Sequence, residues 1–188
     1  MHVLLHTCCA VCTAAPLEEL KGRGHRVTAF FYNPNVHPLI EFRRRLKAQK
    51  VLAERLALDL VCEEGYGLRD WLEAVDWRAE GPARCEGCYR MRLARAAELA
   101  RRRGMDAFTT TLLISPHQHH DMVRRVGEER GAAAGVPFLY RDWRPLAEES
   151  HRQTRRMNLY HQQYCGCVFS EYERFKETTL HLYQGGTA

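Results

Sequence analysis

The sequence predicts an α/β fold, a mainly parallel sheet flanked by helices in the Rossmann-like manner, with a helical C-terminal third. Three observations carry that prediction. Short apolar runs alternate with segments of helical periodicity, the order expected of a parallel sheet covered on both faces. Each of the first runs ends in a loop rich in turn-forming or polar residues. The chain of 188 residues, 45% apolar and 27% charged, has the length and composition of an ordinary globular domain.

The first run, His2-Val3-Leu4-Leu5, leads into His6-Thr7-Cys8-Cys9-Ala10-Val11-Cys12. It reads as strand, loop and helix, with three thiols in the loop and Pro16 at the first helical position. Ligands bind at this edge of open α/β sheets, and a nearby helix N-terminus favours thiolate over thiol. Val27 to Tyr32 is a second strand, ending in Asn33-Pro34-Asn35-Val36-His37-Pro38. Phe42, Leu46, Val51, Leu52 and Leu56 recur at helical spacing, before a third strand from Leu58 to Cys62. Leu68 to Trp77 is predicted as a helix. Gly81-Pro82-Ala83 opens a loop carrying Arg84-Cys85-Glu86-Gly87-Cys88, and a helix from Tyr89 to Arg103 is stopped by Gly104. Asp106 to Ile114 reads as a strand in which Thr109, Thr110 and Thr111 are strand residues. After His117-Gln118-His119-His120 comes a helix from Met122 to Ala134, then a last short strand, Phe138 to Tyr140. From Pro145 onward the expectation is a helix from about Ala147 to Leu159, Tyr164-Cys165-Gly166-Cys167, and a helix near Ser170 to Lys176. Residues 1–188 read as a single domain whose helical part, 145–180, contributes ligands, with a frayed tail over 183–188.

No apolar run approaches the roughly 18 residues of a membrane span, and the opening stretch lacks the basic region and cleavage pattern of a secretory signal. A cytoplasmic location without a membrane partner is expected. Eight cysteines in such a chain point to metal ligands or catalytic thiols rather than a disulfide framework. The formal net charge is +5, and basic residues bunch at Arg43-Arg44-Arg45 with Lys47, at Arg101-Arg102-Arg103, and at Arg152, Arg155 and Arg156. Any one bunch suits a solvated helix face. Together they suit a polyanionic partner such as RNA.

Seven of the cysteines fall in three clusters: Cys8, Cys9 and Cys12; Cys85 and Cys88; Cys165 and Cys167. Cys62 stands apart in an apolar strand and reads as a buried small hydrophobe. Alone, the Cys85-x-x-Cys88 pair could be redox-active, zinc-binding or iron-sulfur-binding. A closed structural zinc takes four ligands, fewer than are clustered here. Adjacent side chains on an extended backbone point in different directions, so Cys8 and Cys9 could serve two neighbouring centres. The excess favours a polynuclear site, because soft thiolates select zinc, copper(I) and iron-sulfur clusters and a four-iron cluster takes about four protein ligands. A zinc-stabilised RNA-binding protein without catalysis and a disulfide relay stay open as alternatives.

Five strings taken together resemble the QueH family, the cobalamin-independent epoxyqueuosine reductases. They are His6 to Cys12, Phe31 to Pro38, Arg84 to Leu93, Phe108 to Pro116, and Tyr160 to Cys167, and the likeness runs to about Arg174. It implies a metalloenzyme of tRNA queuosine biosynthesis that removes the epoxide oxygen of epoxyqueuosine, with a 4Fe-4S cluster beside an additional mononuclear iron. By that resemblance the ligands are drawn from Cys8, Cys9, Cys85, Cys88, Cys165 and Cys167. Some members have aspartate where this chain has Cys12, and the family tends to have tyrosine where this chain has His117. Combining the resemblance with thiol chemistry, Cys9, Cys85, Cys88 and Cys167 are expected to hold the cluster. Cys8, Cys165 and Cys12 are expected to hold the iron, which polarises the epoxide oxygen while an external electron donor supplies electrons.

Proton donors are sought among His6, His37, Tyr89 and Ser115, although either histidine could instead bond a backbone carbonyl, Tyr89 could pack, and Ser115 could begin a turn. Tyr32 suits stacking on the nucleobase or core packing, and Arg84 and Arg92 suit phosphate contacts or surface charge. A tRNA sulfur transferase on a related nucleotide-hydrolase-like α/β fold is the enzymatic alternative. Such enzymes carry a Ser-Gly-Gly-x-Asp-Ser loop whose amides cradle ATP phosphates. Here Thr7-Cys8-Cys9-Ala10-Val11-Cys12 stands in that place without a glycine, so ATP is not expected as a partner.

Overall fold

The computed structural model describes residues 1–178, so the tail expected over 183–188 lies outside the described residues. Strands β1 (His2–Thr7), β2 (Arg26–Phe31), β3 (Asp59–Cys62) and β4 (Ala107–Thr110) form one parallel sheet in the order β3-β2-β1-β4. Val3 of β1 is paired with Val27 of β2 on one side and with Ala107 of β4 on the other. Beyond their first residues β1 and β2 are buried throughout, as continuous apolar runs in a doubly covered sheet should be. The chain winds outward from β1 through β2 to β3, then returns to the far side of β1 as β4. Winding therefore reverses between β1 and β4, and the crevice at their C-terminal ends is the switch point where such sheets bind ligands.

The sheet is flanked by α1 (Ala10–Gly22), α2 (Leu39–Arg55), α3 (Leu68–Ala74), α4 (Gly81–Arg102), α5 (His120–Ala134), α6 (Ala147–Arg156) and α7 (Val168–Phe175). The main core joins Leu4, Leu5 and Phe30 of the sheet to Leu17 and Leu20 of α1, Leu93 and Ala97 of α4, and Val123 and Val126 of α5. No described helix is long and apolar enough to cross a membrane.

Four local expectations are corrected. Pro16 is not the first helical residue but lies inside α1. It is tolerated because the ladder is already opened one residue earlier: the Ser150 hydroxyl donates to the Val11 carbonyl at 2.5 Å and accepts from the Ala15 N–H at 3.0 Å, replacing a helical bond beside the proline. The segment carrying Cys85 and Cys88 is not a loop, because α4 starts at Gly81 with Pro82 in its first turn, a position that suits the fixed φ of proline. Strand β4 ends at Thr110, whose hydroxyl accepts from the Leu112 N–H at 3.2 Å and caps a 3-10 turn over Thr111–Ile114. The strand expected from Phe138 to Tyr140 is a single bridge between Phe108 and Phe138, since Pro137 has no N–H with which to extend the ladder.

Candidate metal centre

Strand β1 delivers Cys8 to the switch point, and Cys9 caps the N-terminus of α1 in an extended conformation, φ −172° and ψ 165°. The chain then turns into the helix, bringing Cys12 back over Cys9. The three sulfurs all lie within 4.8 Å of one another, the one such gathering of three or more His, Cys, Asp or Glu ligand atoms among the described residues. Cys8 and Cys9 thus do not diverge, their sulfurs being 3.8 Å apart. Strand β1 ends at Thr7 and the chain bends at Cys8, so the alternation expected of a strand does not apply to this pair.

The other two clusters arrive from distant parts of the chain. Cys85 and Cys88 occupy one face of the first turns of α4 at i, i+3 spacing. Cys165 and Cys167 lie just before α7, where Cys167 is the N-cap. Cys8, Cys12, Cys85, Cys88, Cys165 and Cys167 all line one cavity of about 750 Å³, with Cys9 buried behind Cys8 and Cys12. Cys62 is remote from this cavity and packs on the cluster of Phe31, Val36 and Phe42.

The Cys165-Gly166-Cys167 segment is held by Arg45, which was read only as part of a basic bunch. Arg45 is 1% exposed. It pairs with buried Glu41 at 2.6 Å and donates to the carbonyls of Cys165 at 2.8 Å and Tyr164 at 3.0 Å. Gly166 takes φ +137°, a conformation that favours glycine, and a Cβ there would press on Val36 at 3.0 Å and the Arg45 guanidinium at 3.1 Å.

The donor set fits a soft metal or cluster. All the cysteines are free thiols, and several sulfurs receive a directed hydrogen bond. Thr111 donates to Cys8 at 3.3 Å, Gln162 to Cys12 at 3.6 Å, Gln118 to Cys165 at 3.4 Å, and the Ser170 N–H to Cys167 at 3.4 Å. Such donors favour charged sulfur. Hydrogen bonds from Cys12 and Cys9 hold the Cys8 thiol well below the usual range, while burial pushes Cys9 up and Cys12 is raised chiefly by its hydrogen bond to Cys8. The trio therefore shares its charge on Cys8, and a bound cation would displace the remaining protons. Burial pushes Cys85 up to about 12. Asn35 lines the same cavity, 1% exposed, with both ends of its carboxamide unpartnered, an arrangement that costs free energy unless a bound group completes it.

The structure does not bring every expected residue to the cavity. Tyr89 and Ser115 line it. The Tyr89 hydroxyl donates to Gln118 at 2.7 Å, and burial pushes the phenol well above its usual range. His6 does not reach it: fully buried, it sits 2.8 Å from Thr110 Oγ1 and 3.1 Å from the Tyr32 carbonyl. Burial and the Arg92 charge bring its pKa down to about 3, so at neutral pH it is the neutral imidazole, whose Nε2–H is committed to the Tyr32 carbonyl, and not an acid. His37 likewise bonds the Pro34 carbonyl at 3.1 Å and lies edge-on to Trp71. Tyr32 stacks on Phe30 at 6.0 Å and is not among the cavity residues.

Arg92 is not a surface phosphate contact. It is 1% exposed, donates to Asn33 at 2.7 Å and lies 4.0 Å from the Cys88 sulfur, so its charge faces thiols. Arg84 lines the cavity, paired with Glu173 at 3.0 Å and stacked over Phe169. Thr111, Gln118, Gln162, Asn35 and Arg45 went unassigned from the sequence. For Gln162 and Asn35 the one available signal was their place beside the cysteine and turn motifs.

Fold and site together define an α/β protein with a polythiolate centre at the switch point of its sheet. A family profile described as epoxyqueuosine reductase QueH matches residues 3–173. The chain belongs to that family. It is 39% identical to an epoxyqueuosine reductase QueH of Dehalococcoides mccartyi over 92% of this chain and 94% of that one. It is 36% identical to one of Thermotoga maritima over 92% and 91%, and 31% identical to one of Haemophilus influenzae over 89% and 71%. Among solved structures, a predicted subunit of a tRNA methyltransferase from Methanocaldococcus jannaschii has a TM-score of 0.50 at 14% identity, covering 79% of this chain and 75% of that one. That likeness is one of fold.

Proposed function

We propose that this chain is an epoxyqueuosine reductase acting on tRNA, using a 4Fe-4S cluster and an additional mononuclear iron but no cobalamin. The observation that carries the reading is the convergence of three distant thiol clusters on one cavity at the β1 and β4 edge, in a chain of this family. When bound, the cluster and iron supply one-electron transfer and a Lewis-acidic place for the epoxide oxygen. The compact trio Cys8, Cys9 and Cys12 suits the single ion, and the more widely set Cys85, Cys88, Cys165 and Cys167 suit the larger cluster. This division differs from the sequence-based one by exchanging Cys9 and Cys165.

In the net reaction two electrons from an external donor and two protons convert the epoxide to an alkene and water. Tyr89 is the best-placed proton donor, because its hydroxyl is aimed along the cavity wall at Gln118 and stays protonated at neutral pH. Ser115, also on the wall, is the second. Gln118 joins the Tyr89 hydroxyl to Cys165 and fixes their relative positions. A tRNA substrate places the protein in the cytoplasm.

Anaerobic purification followed by iron, acid-labile sulfide and zinc analysis, with EPR of the reduced protein, tests the metal assignment. The expected result is iron in excess of sulfide with negligible zinc. Stoichiometric zinc without sulfide sinks it. Incubating epoxyqueuosine-containing tRNA with protein and reductant, followed by nucleoside analysis, tests the reaction. A fully loaded protein that yields no queuosine refutes it.

A further inference from the structure

The three basic bunches are not equivalent once placed on the fold. Arg101, Arg102 and Arg103 are exposed at the C-terminal end of α4, which runs away from the thiol cavity. They lie beside the segment where Asp106 bonds His2 at the start of β1, the pole opposite the switch point. In the first bunch Arg45 is buried and committed to Glu41 and the cysteine loop, and Arg44 lies over the Tyr160 ring, while Arg43 and Lys47 are exposed but line neither concavity. The α6 bunch differs from both. Glu148, His151, Arg152, Arg155 and Arg156 line a second, shallower concavity of about 430 Å³, and Glu148 and His151 also line the thiol cavity. The two depressions therefore share a wall.

Charge on that wall is only partly paired, Arg152 being held by Glu149. Some exposed arginines elsewhere are paired with carboxylates, as in Arg124–Glu128 and Arg144–Asp142, and others, such as Arg26, Arg43 and Arg101, are not; what sets the α6 cations apart is their place at the rim of the thiol cavity. Arg155 and Arg156 are exposed and have no ion-pair partner among the described residues. At positions 152, 155 and 156 the cations form one stripe of α6 at helical spacing. The cavity itself is lined by six cysteines and suits a soft metal centre rather than a phosphate. A polyanionic substrate must keep its phosphates outside while a nucleoside enters.

We infer that the α6 stripe at the cavity rim, with Arg155 and Arg156 at its centre, is the docking surface for the backbone phosphates of the RNA substrate. This rests on the reading of the chain as a tRNA-acting enzyme and adds which surface the RNA meets. The phosphates contact the stripe without base readout, and the strand leaving it directs one nucleoside past His151 into the cavity.

The test uses the anaerobically purified holoprotein and an unmodified tRNA transcript, with binding followed by fluorescence anisotropy across a salt series. Each lost phosphate contact on a single strand lowers the slope of log K against log salt by about 0.7. Arg155→Glu/Arg156→Glu should weaken binding at least tenfold and flatten the slope by about 1.4, two contacts' worth. The milder Arg155→Gln/Arg156→Gln should flatten it similarly, and both should keep the metal content and melting temperature of the unaltered protein. Arg101→Glu/Arg102→Glu should bind within twofold of it. Equal losses for both pairs, or no loss for the α6 pair, overturn the inference. Failure of the unaltered protein to bind the transcript overturns both the inference and the tRNA reading. Tight, α6-dependent binding without turnover of epoxyqueuosine-containing tRNA upholds the docking surface and refutes the reaction alone.

Discussion

Replacing Arg45 with methionine tests how the last thiol cluster is held. The substitution leaves Glu41 buried at 4% exposure with the Tyr160 hydroxyl as its remaining partner, and strips the donors from the carbonyls of Tyr164 and Cys165. Removing one partner of a buried ion pair costs about 3–5 kcal/mol. For a chain of this size each kcal/mol shifts the melting temperature by about 2–4 °C, so a fall of roughly 6–20 °C is expected. The double variant Glu41→Leu/Arg45→Met should recover most of that, since exchanging a whole buried pair for apolar side chains is often neutral. It should not recover the cysteine loop, which still lacks its donors. Thermal unfolding gives the first readout. Iron content, with mass-spectrometric mapping of anaerobic alkylation at Cys165 and Cys167, gives the second. A single variant that melts within about 2 °C of the unaltered protein, with unchanged iron and alkylation, would refute the anchoring role.

Gly166→Ala should lose about 1–3 kcal/mol from its positive φ alone and also iron, through displacement of the flanking thiols; a variant with unchanged denaturation midpoint and iron content contradicts this. Burial lowers the His37 pKa, so the fold favours the neutral ring. Its contribution to stability is held above the ordinary value of 6.5 and lost as pH falls below it. His37→Gln should flatten stability against pH over that acid range, and an unchanged profile shows that burial of the ring is not the cause. Cys62→Ala should cost no more than about 1 kcal/mol and leave metal content and turnover unaltered; loss of iron would place Cys62 in the centre.

What could be read in advance follows the range of the interactions. The β1 edge was legible because an apolar run, a polar turn and three thiols are contiguous. The doubly covered sheet was legible from the alternation of apolar runs with helical spacing. The side-by-side thiols of Cys8 and Cys9 were misread because a strand rule was carried two residues past the strand, through the bend at Cys8 into the cap of α1. The helical placement of Cys85 and Cys88 was hidden because glycine and proline mark both loops and helix starts, and only Pro82 in the first turn decides between them. Arg45 was invisible for a different reason: among neighbouring arginines, nothing local says which one meets carbonyls more than a hundred residues away. Non-local pairing of this kind also removed His6 and Arg92 from the reactive surface, since burial is a property of the assembled core.

The Ser150 hydroxyl spliced into α1 bears on how the protein is made. Translation delivers Val11 and Ala15 long before the serine that bridges them, 139 and 135 residues downstream. Until that serine has emerged, the Val11 carbonyl and the Ala15 N–H have only each other or water as partners, as in any helix. A nascent chain thus carries its first three cysteines on a scaffold that still lacks α6. Docking of α6 inserts the hydroxyl between the Val11 carbonyl and the Ala15 N–H, and Cys165 and Cys167 follow α6 in the chain. The full ligand set is assembled only when the segments from both sides of α6 meet at the edge of the sheet.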